Sequence, residues 1–384
     1  MKVLRPHPSH PGRSILASCV LLLATASTVH SQGIRTVLVS PVPGNPAASG
    51  AALLAAVSGI PSPSNSNRWV VKVEPGIYDL AGTPLLMRAW VDVEGSGLTR
   101  IVGDGQPSIF GGVVEMASNC ELRDLTVVAN GAGRAPAAVA IWAPGSTSSR
   151  VVNVHAVAKN GTQNNEAILL LSASDFELRD VEAEAQGGEL TFGLSVLILS
   201  APGGDVRVDR ASFLATGASQ INRAVALQFD NPPSVLPSLT NVTGSALGGT
   251  ENHALEIQMP PTAVPGEVRI KGSRFLASGG TAGDVGVLVL SGQGMVRLLE
   301  TAVEAPALGS TGLWLSGTSQ ATVRIEGGAI AGGIHTVANT TAMGRVGVAG
   351  TQLAGGAVLT TTPGSLICAG VHDEIFAFFG STCP

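Results

Sequence analysis

Apolar and polar residues alternate in short runs that return at a regular interval. The segment Cys120-Glu121-Leu122-Arg123-Asp124-Leu125-Thr126-Val127 comes back as Phe176-Glu177-Leu178-Arg179-Asp180-Val181-Glu182-Ala183, with Arg150-Val151-Val152-Asn153-Val154-His155-Ala156 between them. Anchored on Leu122, the equivalents are Val151, Leu178, Val208, Leu239, Ile270, Leu298, Ile325 and Val348, all aliphatic. Two places earlier the column is again mostly apolar, with Ser149 and Pro237 as exceptions. Five places later it runs Val127, Ala156, Ala183, Phe213, Gly244, Phe275, Val303, Ile330, Leu353, where only Gly244 breaks the pattern. Two places after the anchor stand Asp124, Asn153, Asp180, Arg210, Asn241, Gly272, Glu300, Gly327 and Gly350, largely turn formers between two short strands.

Each unit then has a Gly-rich corner (Asn130-Gly131, Asn160-Gly161, Gly187-Gly188, Gly248-Gly249, Gly279-Gly280) and a further β run, such as Ala138–Trp142, Ala167–Leu171 or Ala224–Phe229. Units this short cannot each bury a core, but they can when stacked. The spaces between corners are too short for crossover helices. The pattern predicts an all-β chain: a single-stranded right-handed parallel β-helix, a solenoid with a ~28-residue repeat and roughly a dozen turns. Pro46–Val57 reads as a short N-terminal capping helix stopped by Gly59 and Pro61, since an open end would expose a strand edge. Ser62–Asn67 is then a loop, and Trp69–Gly76 enters the first turn. The expected organisation is 1–31 export signal, 32–67 N-terminal segment and cap, 68–367 β-helix and 368–384 C-terminal cap.

The first segment is set apart by Lys2, Arg5 and Arg13 before an apolar run from Ile15 to Ala26, then the small-residue site Val29-His30-Ser31. That is a secretory signal, too short to span a bilayer comfortably. Leu16-Ala17-Ser18-Cys19 mimics a lipoprotein box, but the apolar run follows Cys19 instead of preceding it. Secretion, periplasmic or extracellular, is the expected address. Residues 1–31 hold three basic and no acidic residues, so the mature chain carries a net charge of −8. This disfavours nucleic acid and anionic membranes as partners. Composition agrees with a lean solenoid: 49 glycines, 13% charged and 4% aromatic residues, with 45% hydrophobic. An oxidising compartment permits a disulfide between Cys368 and Cys383, locking the last residues as a closing loop. Cys120, at an inward position, reads as a small buried apolar residue.

Asn67–Leu80, Val91-Asp92-Val93-Glu94-Gly95-Ser96-Gly97 and the Cys368…Cys383 tail resemble a group of secreted bacterial right-handed β-helix proteins. The resemblance implies the pectin-lyase-like fold and carries no established activity. That fold hosts lyases, hydrolases, tailspikes and adhesins, so it decides no function by itself. Of the spaced polygalacturonase motifs only Arg269-Ile270-Lys271 is present, and Ile270 is already a core anchor. No Asp cluster suggests the Ca²⁺ site of a pectate lyase, and His155, His253, His335 and His372 lack zinc-ligand spacing. No metal or cofactor is expected; Ca²⁺ would enter only with lyase chemistry.

Stacking supplies the candidate acid/base set. Outward, four places past the anchor, lie Thr126, His155, Glu182, Ser212, Thr243 and Arg274; His155 and Glu182 become neighbours, with Glu184 further along the same face. Asp180 would stack beside Arg210 in the turn column. Paired carboxylates could cleave a glycosidic bond; the plainer reading is a solvated face with cross-strand charge pairs. Another outward column, Glu121, Arg150, Glu177, Arg207, Ser238, Arg269, Arg297, Arg324, ends in three like charges that could hold an anionic polysaccharide unless neighbouring Glu267, Glu300 and Glu326 neutralise them. Trp142 and Trp314 point outward by alternation, with Val139 and Ile141 inward, and stand about 29 Å apart if six rungs separate them. Asn241-Val242-Thr243 and Asn339-Thr340-Thr341 match the glycosylation sequon. The leading expectation is a secreted, non-catalytic scaffold of surface, adhesion or glycan-binding type. The alternative is a polysaccharide lyase or glycoside hydrolase using Glu182, Glu184 and His155. A trimer is as compatible with the pattern as a monomer.

Overall fold

The computed structural model describes residues 34–383 except 134, 200–203, 264, 363–364, 376 and 380–382; the export-signal segment 1–31 lies outside the described residues. The chain winds as a parallel β-solenoid of about ten turns with one small helix. The nine expected anchors, Leu122, Val151, Leu178, Val208, Leu239, Ile270, Leu298, Ile325 and Val348, form one column of in-register parallel pairs, and the structure extends it with Val37, Val71 and Val93 before them and Cys368 after. All but Val37 are buried. Stacked aliphatics of this kind make the core a continuous rod in which each rung closes its neighbours.

The turn column has one conformation throughout. Asp124, Asn153, Asp180, Arg210, Asn241 and Glu300 have φ between 50° and 58°, and Gly272, Gly327 and Gly350 have φ between 56° and 71°. Each of these turns therefore bends through a left-handed residue at this position, with a second, Gly328, following it after Ile325. Asn and Asp tolerate that shape, Gly adopts it freely, and Arg or Glu adopt it at a cost. Gly244, the exception five places past the anchor, is explained by its neighbour: a Cβ there would stand 2.8 Å from Cδ1 of Phe275, whose ring fills the core below it.

A third face is built by strands Ala137–Pro144, Asn164–Leu171, Leu190–Ile198, Ile221–Phe229, Glu251–Gln258, Gly283–Leu290 and Thr311–Ser316. Its inner edge carries a buried polar ladder that the repeat analysis did not predict: Asn165, Thr191, Asn222, Asn252 and Asp284 pair in register. The Thr191 hydroxyl donates to Asn222 Oδ1 (2.6 Å), the Asn222 amide to Asn252 Oδ1 (2.7 Å) and the Asn252 amide to Asp284 Oδ1 (2.7 Å). The same side chains accept from the corner amides of Gly161, Ala218, Gly249 and Gly280, so the backbone polar groups at the Gly-rich corners are satisfied inside the rod.

The solenoid starts one rung before the expected first turn. The β-branched run Arg35–Val39 pairs with Trp69–Val73, and the helix Pro46–Ser58 follows it, one residue longer than expected. Asn45 caps the helix by accepting from the Ala48 amide (3.0 Å), and Leu53 and Val57 are buried beneath it. Gly50 permits this seat: a Cβ there would stand 2.0 Å from the Asp79 carbonyl oxygen. At the other end Cys368 occupies the last anchor position and is bonded to Cys383, while Phe378–Phe379 folds back antiparallel on Val371–His372. Cys120 is free and buried; burial pushes its thiol up to about 12, so it behaves as an apolar residue.

Candidate functional site

The outer side of the third face is the chemically unusual surface. Two columns run along it. One reads Val139, Glu166, Phe192, Arg223, His253, Val285, Thr311; the other Trp142, Leu169, Ser195, Ala226, Glu256, Leu288, Trp314. Val139 was expected to point inward by strict alternation. It stands instead in register with Glu166, because each strand bends at a column of small residues (Ala140, Ala167, Gly193, Ala224, Ala254, Gly286, Gly312) and turns two consecutive side chains into the core. The small column is required by packing: a Cβ on Gly286 would stand 2.4 Å from Val303 and one on Gly312 2.7 Å from Ile330.

The segment between Gly105 and Val113 crosses this face near its first rungs, with the Gln106 and Val113 amides donating to the Ala137 and Val139 carbonyls. Its Ile109 borders the same cavity as Glu166, which is only 3% exposed and whose Oε2 has no hydrogen-bond partner. Burial pushes its carboxyl up to about 8, and the positive charge of Arg223 only partly opposes this. Glu166 is therefore a neutral carboxylic acid at pH 7. Two rungs on, Arg223 Nε donates to Glu256 Oε2 (2.6 Å), and its guanidinium lies over the Phe192 ring, 5.2 Å from the centroid. His253 Nδ1 is 2.6 Å from the same Glu256 oxygen. Burial alone would raise the Glu256 carboxyl, but the hydrogen bond from His253 and the charge of Arg223 outweigh it and hold it below the usual range. The face thus carries two carboxylates in opposite states, one neutral and unpartnered, the other ionised and doubly held.

Glu166, Phe192, Arg223 and Glu256 line an open cavity of about 450 Å³, with Leu190, Leu197 and Leu290 as apolar walls and Asn164, Ser195, Gln228 and Gln258 as neutral polar groups. Gln258 also borders a second cavity of about 500 Å³, lined by Asp230, Gln293 and Gln320 among others. The two adjoin through that glutamine and offer a groove with an apolar floor and amide-rich rim. Such a floor suits the C–H faces of a sugar ring and such a rim its hydroxyls. The anchor and turn columns of the repeat give no sign of this site. The signal left unused was the third-strand column itself, in which Glu166, Arg223 and His253 recur at the rung spacing among apolar residues.

The residues singled out from the sequence are placed as follows. His155 and Glu182 pair across adjacent strands, Glu184 joins them, and the ligand atoms of the three lie within 4.8 Å of one another. His155 Nε2 is 3.7 Å from Glu184 Oε1, with the His155 side chain 38% exposed. Asp180 and Arg210 also meet, Arg210 Nε and Nη2 donating to the two carboxylate oxygens at 2.7 and 3.0 Å. That pair holds Asp180 below the ordinary carboxylate range, and both residues occupy the left-handed turn column. Arg269, Arg297 and Arg324 share one column, and two are bound by carboxylates: Arg269 by Glu267 at 2.8 Å, Arg297 by Glu326 at 2.7 Å. Trp142 and Trp314 lie six rungs apart on the outer third face, as expected, but both are half-buried. The Trp142 Nε1 is enclosed without a partner, and Trp314 Nε1 donates to Thr340 (3.0 Å).

No protein-family model matches the chain, and no curated protein matches its sequence. Among solved structures it is similar to the catalytic unit of a thermostable GH87 α-1,3-glucanase from Streptomyces thermodiastaticus. There the identity is 12%, the TM-score 0.53, and the alignment covers 91% of this chain and 70% of that one. It is also similar to the A-module of the mannuronan C-5 epimerase AlgE6 of Azotobacter vinelandii (14% identity, TM-score 0.49, 85% and 95% covered) and to PfbA, a surface adhesin of Streptococcus pneumoniae (10%, 0.39, 87% and 89%). The fold is a parallel β-helix. Identities this low speak to the fold alone. The Cys368–Cys383 bond fits an oxidising, extracellular or periplasmic setting, and no helix among the described residues is long and apolar enough to cross a membrane.

Proposed function

We propose that this chain is an exported, non-catalytic glycan-binding scaffold whose ligand lies along the outer third face, from Glu166 toward Gln320. One observation carries the reading: apolar walls and neutral amide side chains converge on a groove in which Arg223 and Glu256 are already paired with each other. A rigid stack of rungs holds these side chains in fixed relation, so little ordering cost is added on binding. The export pattern of residues 1–31 and the closing disulfide support a setting in which extracellular polysaccharides are the available partners.

The test is a panel of neutral and acidic polysaccharides presented to residues 32–384, read by affinity electrophoresis and in parallel for new reducing ends and unsaturated uronates, with and without Ca²⁺. Retention by at least one polymer, weakened about tenfold by Gln258→Ala, with no turnover, is the expected result. Absence of retention would overturn the reading. Turnover would overturn its non-catalytic part and move attention to His155, Glu182 and Glu184, whose ligand atoms lie within 4.8 Å of one another.

A further inference from the structure

Glu166 has its Oε2 left without a partner inside the fold. It stands in a column whose neighbours are Val139 and Phe192, it makes no ion pair, and its Oε2 is enclosed without a hydrogen-bond partner while lining the groove. Buried polar atoms left open in this way need a partner from solvent or a ligand. The charged groups around it are already engaged. Arg223 donates to Glu256 and stacks on Phe192, His253 is hydrogen-bonded to Glu256, and Glu251 lies 3.9 Å from the far side of His253. The strands Ala137–Pro144 and Leu190–Ile198 and the covering segment 105–113 contribute no charged residue. Glu115, one rung before Trp142 in the other column, is itself raised by burial.

We propose that Glu166 is the recognition residue of this groove, donating a hydrogen bond from a neutral carboxyl group to a hydroxyl or ring oxygen of an uncharged sugar residue. The inference rests on the glycan-binding reading and adds the class of sugar. A uronate would have to draw Arg223 away from Glu256, leaving that carboxylate buried and unpaired. An ammonium sugar would need Glu166 ionised, and burial with no counter-ion opposes this. A hydroxyl asks for neither, and Asn164, Ser195, Gln228 and Gln258 supply matching neutral donors and acceptors. Because burial pushes the carboxyl up to about 8, the donor is present across neutral pH and disappears in alkali.

The experiment is calorimetric titration of residues 32–384 with maltohexaose, laminarihexaose and cellohexaose, with hexagalacturonate as the charged comparison, from pH 5.5 to 9.5. Wild type, Glu166→Gln and Glu166→Met are compared, each checked for an unchanged circular-dichroism spectrum. A neutral hexasaccharide should bind wild type with an affinity flat up to about pH 8 and falling about tenfold per pH unit above it. Glu166→Gln, which keeps a donor that does not titrate, should bind within a few-fold and without that alkaline fall. Glu166→Met should lose at least tenfold at pH 6. Binding that is insensitive to Glu166→Met, or the same alkaline fall in Glu166→Gln, overturns the role of Glu166 and leaves the groove reading standing. Tighter binding of hexagalacturonate overturns the uncharged sugar, and no binding by any of the four overturns the groove reading itself.

Discussion

Glu166 makes the sharpest stability prediction, because its ionisation is coupled to folding. In the unfolded chain it titrates near the ordinary 4.5, while in the folded protein burial holds the proton to about 8. Between those values the folded state binds one more proton than the unfolded state, so stability falls as pH rises, by about 1.4 kcal/mol per unit. The contribution is complete below about pH 4.5 and is gone above about pH 8. Over the whole window this amounts to roughly 5 kcal/mol, of which about 4 kcal/mol lies between pH 5 and pH 9. Water admitted to the groove would solvate the carboxylate and lower that figure. Glu166→Gln keeps the shape and removes the titration. Guanidinium unfolding of wild type and Glu166→Gln, followed by tryptophan fluorescence at pH 5, 7 and 9, isolates this one group, since every other titration is common to both. The variant's stability relative to wild type should rise steadily with pH, by about 2–4 kcal/mol from pH 5 to pH 9. Parallel curves would mean that Glu166 is ionised or solvated in the folded protein, and the electrostatic account of the groove would fall with it.

Three further outcomes follow from the packing. Glu300 sits in the left-handed column at φ 50°, so Glu300→Gly should stabilise by about 0.5–1 kcal/mol, read as a raised melting temperature; a lower one would show that its side chain outweighs the backbone strain. Gly244→Ala drives a methyl against the Phe275 ring and should cost about 1–3 kcal/mol in equilibrium unfolding, a cost that Phe275→Leu in the same chain should reduce. Leu178→Asp buries a charge in the fully enclosed anchor column and should abolish cooperative melting, whereas an unchanged transition would refute the register.

The rod was legible in the sequence because its physics is local and repeated. An aliphatic must recur wherever a rung faces the core, and a residue that tolerates positive φ must recur wherever the chain bends. Those two demands alone align Leu122 with Val348 across the anchor column and place Asp124, Asn153 and Asp180 in one conformation. The proximity of His155, Glu182 and Glu184 and the Asp180–Arg210 pair were legible for the same reason, since stacking order follows directly from the repeat. Strict alternation failed at Val139, because the third face bends at Ala140 and turns two neighbours inward, a corner set by residues of another strand. The polar ladder left a visible trace in Asn165, Asn222 and Asn252, yet its meaning depends on corner amides that only the closed turn brings within reach. Glu166 lies further from what a pattern can convey. Glutamate at an outward position reads as a solvated charge, and only the three-dimensional surroundings, with Ile109 of the segment 105–113 and the apolar side chains of neighbouring rungs around one cavity, make it a buried acid. In a solenoid the repeat specifies the scaffold, whereas chemistry arises where the repeat is interrupted and one irregular segment changes the environment of an ordinary rung residue. On this account functional sites of such rods should be sought under the crossing segments rather than along the most regular charged stripes. The Arg269–Arg297 stripe, bound by its own glutamates, and the enclosed Glu166 show that contrast within one chain.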